Sequence, residues 1–326
     1  MKIQSILTRR QSTNYSSIQI VYEWEDIFAK SLGVGLFKDD DRRRSWVCKY
    51  LPFLKRLFLP PPSLKTFVFE MAWRDHRGLN SKNMIPLIID FFSRNQKELD
   101  LFYKSFQKNP VVFVSSLEVY DFLKSKNCPL NIAHLGLSLS DKYKITYDTV
   151  FEKKYDLVMM GRQNSVLERF AQQYAVSHSD FTYVYQKKEN GNICNMDQSG
   201  RILGDVNSRE DYIRFMSLGR TMLYSTPDID TDSRRSHGFN QVTPRFLEGI
   251  ATGCHVIARY PQNSDVEYYE LDRMVLANVK DYHAFEKAMD YARSNDIKKK
   301  KYSEYLAKHY TSVRVKELQT ILDKIK

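Results

Sequence analysis

The sequence predicts an α/β protein built on two parallel sheets, and three observations predict it. Short apolar runs alternate with longer stretches of helical period through most of the chain. A polar, charged and aperiodic stretch, residues 138–154, splits that alternation into two similar series. The 326 residues suit two domains at roughly 100–200 residues each. A content of 42% hydrophobic and 27% charged residues excludes disordered, collagen-like and coiled-coil classes.

In the first series, strands are expected at 2–7, 66–71, 86–91, 111–114 and 131–134, each an apolar run closed by a polar loop. Helices are expected near 18–32, 96–106 and 117–124, where apolar residues recur at helical spacing. The second series opens with a strand at 155–160 and continues through 181–185, 201–204, 221–225, 255–258 and 274–277. Helices at 166–175, 209–218, 244–252 and 284–294 separate most of these strands. The expected division is therefore a first Rossmann-like domain over 1–140, a linker over 141–154, a second over 155–295 and a helical segment over 296–326. The lysine run 298–301 reads as a solvated helix start.

Other features limit the function classes. The longest apolar stretch, 84–92, contains Pro86 and Asp90 and falls well short of the ~20 residues of a membrane span. The amino-terminal residues carry no secretory-signal pattern, which predicts a cytoplasmic protein. Cys48, Cys128, Cys194 and Cys254 have neither zinc-site nor disulfide-framework spacing, so reduced thiols and no bound metal are expected. Of the net charge of +11, residues 1–150 carry +8, which calls for an acidic partner: nucleic acid, an anionic membrane surface or a phosphorylated substrate. No nucleic-acid module is legible. Residues 42–58 mix basic and aromatic side chains, either as a segment at the inner membrane face or as a helical pair broken at Pro52.

Ligands of open parallel sheets bind beyond the carboxyl ends of the strands, where helix amino termini present free N–H groups. After the strand at 155–160 come Gly161, which permits close backbone approach, and Arg162, whose guanidinium suits a diphosphate. The strongest constellation is 243–253. Thr243 is a candidate N-cap, Pro244 suits the first helical position, and Arg245 and Glu248 share one face of the helix. Arg245 suits a phosphate and Glu248 a ribose diol; an intrahelical ion pair between them is the alternative. A long polar loop over 226–240 precedes this helix, and its Gly238-Phe239 pair would place backbone N–H groups beside a ligand. In the first series Glu70, Trp73, Asp75 and His76 follow one strand and Asp90 ends the next. Glu70, Asp75, His76 and Asp90 are competent general bases, and Trp73 suits stacking on a sugar face.

Residues 155–278 resemble the donor-binding domain of GT-B glycosyltransferases. The resemblance rests on Gly161-Arg162 after the first strand, Tyr224-Ser225-Thr226-Pro227, His237-Gly238-Phe239, and Arg245 through Gly253 before an apolar strand. Residues 111–116 and 132–136 resemble the acceptor domain more weakly, and the Thr243-Pro244-Arg245 variant looks like the group related to spore-coat maturation enzymes. The resemblance implies two Rossmann-like domains facing across a cleft and a metal-independent, hexosyltransferase-type enzyme. Its only small-molecule requirement would be the nucleotide-diphosphate sugar. That donor would be held by Gly161, Arg162, Tyr224, Thr226, His237, Gly238, Phe239, Asn240, Thr243, Arg245 and Glu248. The acceptor, a glycan or lipid-linked sugar of bacterial surface polysaccharide synthesis, would meet Trp73 and Asp90, with Asp75, His76 or Glu70 as base. The sequence departs from many retaining members at Asn240, where they carry Glu, and in having no Lys soon after Gly161-Arg162. A nucleotide- or glycan-binding protein of the same fold without turnover is the alternative.

Overall fold

The structure is a computed structural model that describes residues 1–8, 10, 18–38, 46, 50–51, 54, 60–73, 79–189, 192–230 and 237–325. It contains two compact units. The first comprises Met1–Asp141, Ser233–Gln241 and Tyr310–Lys326, and the second Lys142–Asp232 and Val242–His309.

The first unit is built on β1 (Ser5–Thr8), α1 (Gln19–Leu32), β2 (Gly35–Lys38), β3 (Thr66–Ala72), β4 (Met84–Asp90), α2 (Gln96–Phe106), β5 (Val112–Val114), α3 (Leu117–Ser125) and β6 (Ile132–His134). Its six strands are all parallel, in the order β2-β1-β3-β4-β5-β6. β3 and β4 are apolar almost throughout because a parallel sheet is covered on both faces. Pro86 is tolerated in β4 because pairing with β5 starts only at Leu87, so its missing N–H breaks no bond there. Helix α2 starts where Asn95 accepts from the Glu98 N–H at 2.9 Å, and α3 where Ser116 accepts from Val119. On α1, Phe28 stacks on Phe67 and meets Phe69 edge-on.

The second unit holds β7 (Tyr155–Met159), α4 (Ser165–Ser177), β8 (Tyr183–Glu189), β9 (Asn192–Asp197), β10 (Ile202–Asp205), α5 (Arg209–Ser217), β11 (Gly219–Ser225) and α6 (Pro244–Ala251). It continues with β12 (His255–Arg259), α7 (Ser264–Tyr268), α8 (Leu271–Met274), β13 (Ala277–Asn278), α9 (Tyr282–Ser294) and α10 (Lys299–Leu306). The sheet order is β10-β9-β8-β7-β11-β12-β13, with an antiparallel β8-β9-β10 meander at one edge. Leu157, Phe170, Tyr174, Leu223, Ile257 and Phe285 form its core. Gly249 lets α6 lie against β11, since a Cβ there would fall 1.9 Å from the Met222 sulfur.

Helix α11 (Thr311–Lys324) belongs to the first unit, so the helical segment expected over 296–326 is divided between the two units. The Met1 amine donates to the Leu322 carbonyl, and the Thr311 N–H to the Leu139 carbonyl, both at 2.9 Å. Buried Arg314 of α11 donates to Glu317. Residues 237–241 are likewise built into the first unit. Phe239 is fully buried against Phe91 and Phe122. Arg94 lies 3.9 Å above its ring and donates to the Gly238 carbonyl at 2.9 Å. Gln241 pairs with both the N–H and the carbonyl of Phe91.

Candidate functional site

In the second unit the first strand, β7, has β8 on one side and β11 on the other, so chain order reverses between β7 and β11. Such a switch point leaves a crevice at the strand carboxyl ends. The loops that follow β7, β11 and β12 and the start of α6 supply the residues there. Gly161 has φ +69°, a left-handed conformation that favours glycine, and its N–H donates to Gln186 Oε1 at 2.6 Å. The Arg245 guanidinium lies directly on it: a Cβ at 161 would stand 2.6 Å from Arg245 Nη2. Arg245 Nη1 donates to the Arg162 carbonyl at 2.6 Å, while Arg162 itself is exposed. Asn164 caps α4 by accepting from Val166 and Leu167, and its amide donates to Asp230 at 3.1 Å. Arg259 grips Asp230 with two nitrogens and holds its carboxyl below the usual carboxylate range. Cationic groups and a helix amino terminus thus converge at one strand-end crevice, an arrangement suited to a polyanion.

Several donor-site expectations need correction. Glu248, expected to face a ribose, is 3% exposed, and its Oε1 accepts from Arg209 Nη2 of α5 at 2.5 Å. It pairs neither with Arg245 nor with solvent, because α5 brings a buried arginine to that face of α6. Tyr212, also on α5, hydrogen-bonds Arg245, and burial pushes its phenol up to about 12. Thr243 occupies the N-cap position without a side-chain cap bond; its N–H donates to the buried Tyr224 hydroxyl at 3.1 Å. Tyr224 and Thr226 are each 1% exposed, so both brace the loop from beneath. Phe239 is a core residue of the first unit. Gly238 is bound by Arg94 and the Asn240 N–H by Glu118 at 2.8 Å, which assigns all three to that unit instead. The positive φ of His237 (+51°) begins the same segment.

At the strand ends of the first unit, Trp73 follows β3 and donates through Nε1 to Ser93 Oγ at 2.7 Å. Trp73, Phe92, Ser93, Glu98 and His237 line an open pocket of about 200 Å3. Glu98 Oε2 is buried there with no hydrogen-bond partner. Asp90, paired in register with Ala72 beside Trp73, has its carboxyl pushed up to about 6 by burial. Glu25 of α1 accepts from Thr8 and Arg10, yet burial pushes it up to about 7. Glu70 is fully buried in β3 and inaccessible to a substrate. Asp75, His76 and most of 42–58 lie outside the described residues. Sequence reasoning missed Ser93, Glu98 and Arg209, whose roles depend on contacts between distant segments. Among the described residues no cluster of three metal-ligating side chains occurs, and no helix is long and apolar enough to cross a membrane.

No protein-family model and no curated sequence matches this chain significantly. Solved structures do match its fold. A sucrose-phosphate synthase from Thermosynechococcus elongatus aligns over the full length of both chains with TM-score 0.61 at 10% identity. Anabaena HepE in complex with UDP and glucose aligns over 99% of this chain and 100% of that one, with TM-score 0.57 at 6% identity. A chain of the GtfA/B complex aligns over 84% of this chain with TM-score 0.50 at 13% identity, and this chain spans 59% of its length. The fold is that of the GT-B glycosyltransferases, two parallel-sheet domains.

Proposed function

We propose that the protein is a glycosyltransferase that moves a sugar, of hexosyl type, from a nucleoside diphosphate to a glycan or lipid-linked acceptor. The observation that carries this reading is Arg245, laid on the backbone of Gly161 at the β7–β11 switch point beside exposed Arg162. A leaving diphosphate there would be stabilised by two guanidinium groups and the start of α6, electrostatics that serve such a reaction without a metal. The acceptor hydroxyl must lose a proton in an inverting reaction. Asp90, pushed up to about 6, is a base matched to near-neutral pH, and the Trp73–Glu98 pocket offers an aromatic wall and a carboxylate for a sugar ring. The basic–aromatic segment 42–58 fits recruitment to an anionic membrane, where a polysaccharide acceptor would be anchored.

Calorimetry with a panel of nucleoside diphosphates tests the donor half. Arg245→Ala is expected to weaken diphosphate binding by about 1.5–3 kcal/mol, the range for hydrogen bonds to charged groups, while the parent nucleoside loses far less. Equal losses for both ligands would make Arg245 a support of the fold alone. Asn240, where many retaining glycosyltransferases carry Glu, favours a second reading, a nucleotide-sugar binder without turnover. Release of free nucleoside diphosphate from the bound donor in the presence of acceptor separates the two.

A further inference from the structure

The lysine run at 298–301 has no part in that reaction, nor does the amino-terminal edge of the second sheet, at the far end of its strands from Gly161 and Arg245. A cavity of about 140 Å3 opens there, lined by residues that precede β7, begin β11 and β12, and join α9 to α10. Four of its lining side chains are basic: Lys153, Arg220, His255 and Lys299. The one acid among them, Asp296, is 92% exposed at its side chain and pairs with Arg220 at 3.1 Å.

Lys153 sets the electrostatics. Its amine donates to the carbonyls of Ser217, Gly219 and Thr252 at 3.0, 2.7 and 2.8 Å, ends of α5 and α6 among them. Those dipoles hold the ammonium in place, yet no carboxylate pairs with it among the described residues. Burial and the neighbouring Arg220 charge hold its pKa below the usual lysine value. His255, bonded to the Asn295 carbonyl at 2.8 Å, is depressed by burial and by the Arg220 and Lys153 charges. The second independent observation is α10. It starts at Lys299 with no side-chain cap and no acid in its first turn, so lysines sit where the helix dipole favours negative charge. A dianion would offset the mutual repulsion of the Lys153, Arg220 and Lys299 charges.

We propose that this cavity binds a phosphate group, as the free ion or a small phosphate monoester, through the side chains of Arg220 and of Lys299 at the start of α10, with Lys153 supplying fixed charge. The cavity admits the phosphate and leaves an ester substituent in solvent.

Calorimetry with inorganic phosphate and with glycerol 3-phosphate, against chloride at matched ionic strength, tests it on the full chain. Arg220→Ala and Lys299→Ala are each expected to weaken phosphate binding by about tenfold or more, as loss of a charge-assisted bond requires. Asp296→Asn removes the competing carboxylate and is expected to tighten binding severalfold, a gain that a damaged fold does not produce. Tighter binding of the ester identifies an ester ligand, and equal binding the free ion. Arg245→Ala serves as the control for the nucleotide site and is expected to leave phosphate binding here unchanged. No heat beyond that of chloride, or an Asp296→Asn variant that binds no tighter than the parent, overturns the proposal.

Discussion

The strand ends of the two units handle charge in opposite ways. In the second unit, carboxylates are matched: Glu248 to Arg209, Asp230 to Arg259, with the latter held ionised. Arg162 and Arg245 remain as the cations at the crevice. In the first unit, carboxyl groups are under-compensated: Glu25 is pushed up to about 7, Asp90 to about 6, and Glu98 keeps an oxygen without a partner. On the proposed reading, one unit would bind an anion and the other would accept a proton. A transfer reaction with an anionic leaving group and a hydroxyl nucleophile needs both capacities.

The contrast can be broken most severely at Glu248. Glu248→Ala removes the buried carboxylate that pairs with the buried Arg209 guanidinium, and a loss of about 3–5 kcal/mol is expected in urea unfolding. A loss under 1 kcal/mol would mean that the pair is not the buried contact described. Next in size is Glu25. Its folded pKa of about 7 lies above the ordinary 4.5, so the fold holds a proton that the unfolded chain releases. The stability this group contributes is complete below pH 4.5 and is lost as pH rises towards 7. Glu25→Gln, permanently neutral, is expected to gain on the parent by up to about 3 kcal/mol between pH 4.5 and 8, read as the difference between their unfolding free energies. A constant difference across that range would place Glu25 with the matched carboxylates.

A smaller effect is expected at Gln241. Gln241→Ala strips two bonds from the buried Phe91 backbone and should cost about 1–3 kcal/mol, measured by thermal unfolding. Smallest is Glu98→Gln. Since one carboxylate oxygen has no partner to lose, stability should change by less than about 0.5 kcal/mol, while acceptor KM rises. Glu248→Ala and Glu98→Gln then differ by several kcal/mol, and a large loss at Glu98 would erase the distinction.

Local pattern carried much of the fold. The strands expected at 155–160, 221–225 and 255–258 match β7, β11 and β12 to within two residues, because buried parallel strands are continuous apolar runs. β9 was not legible: Asn192–Asp197 mixes polar and apolar residues on an edge hairpin, and its pairing with β8 is antiparallel. β2 escaped for a similar reason, a four-residue edge strand ending in Lys38. The strand expected over 274–277 is the end of α8 followed by the short β13, since an apolar run this brief fits either state. At the site, helical spacing put Arg245 and Glu248 on one face of α6, and of the two only Arg245 lies on Gly161. It could not reveal that Arg209, 39 residues earlier, captures Glu248, or that Phe239 leaves its own series for the core of the other unit.

That departure has a consequence for how the chain is made. The first unit takes Phe239 and the helix beginning at Thr311, and the Met1 amine meets a carbonyl 321 residues away. During synthesis its sheet can assemble early, but the aromatic wall around Phe91 stays uncovered until more than half of the second unit has emerged, and the face of α1 that meets α11 until all of it has. Contacts of such span are slow to form, and the apolar surface waiting for them invites wrong partners. A fragment cut at residue 141 would keep six strands and lack the two pieces that close them, so chain order and domain order are separate facts in this protein.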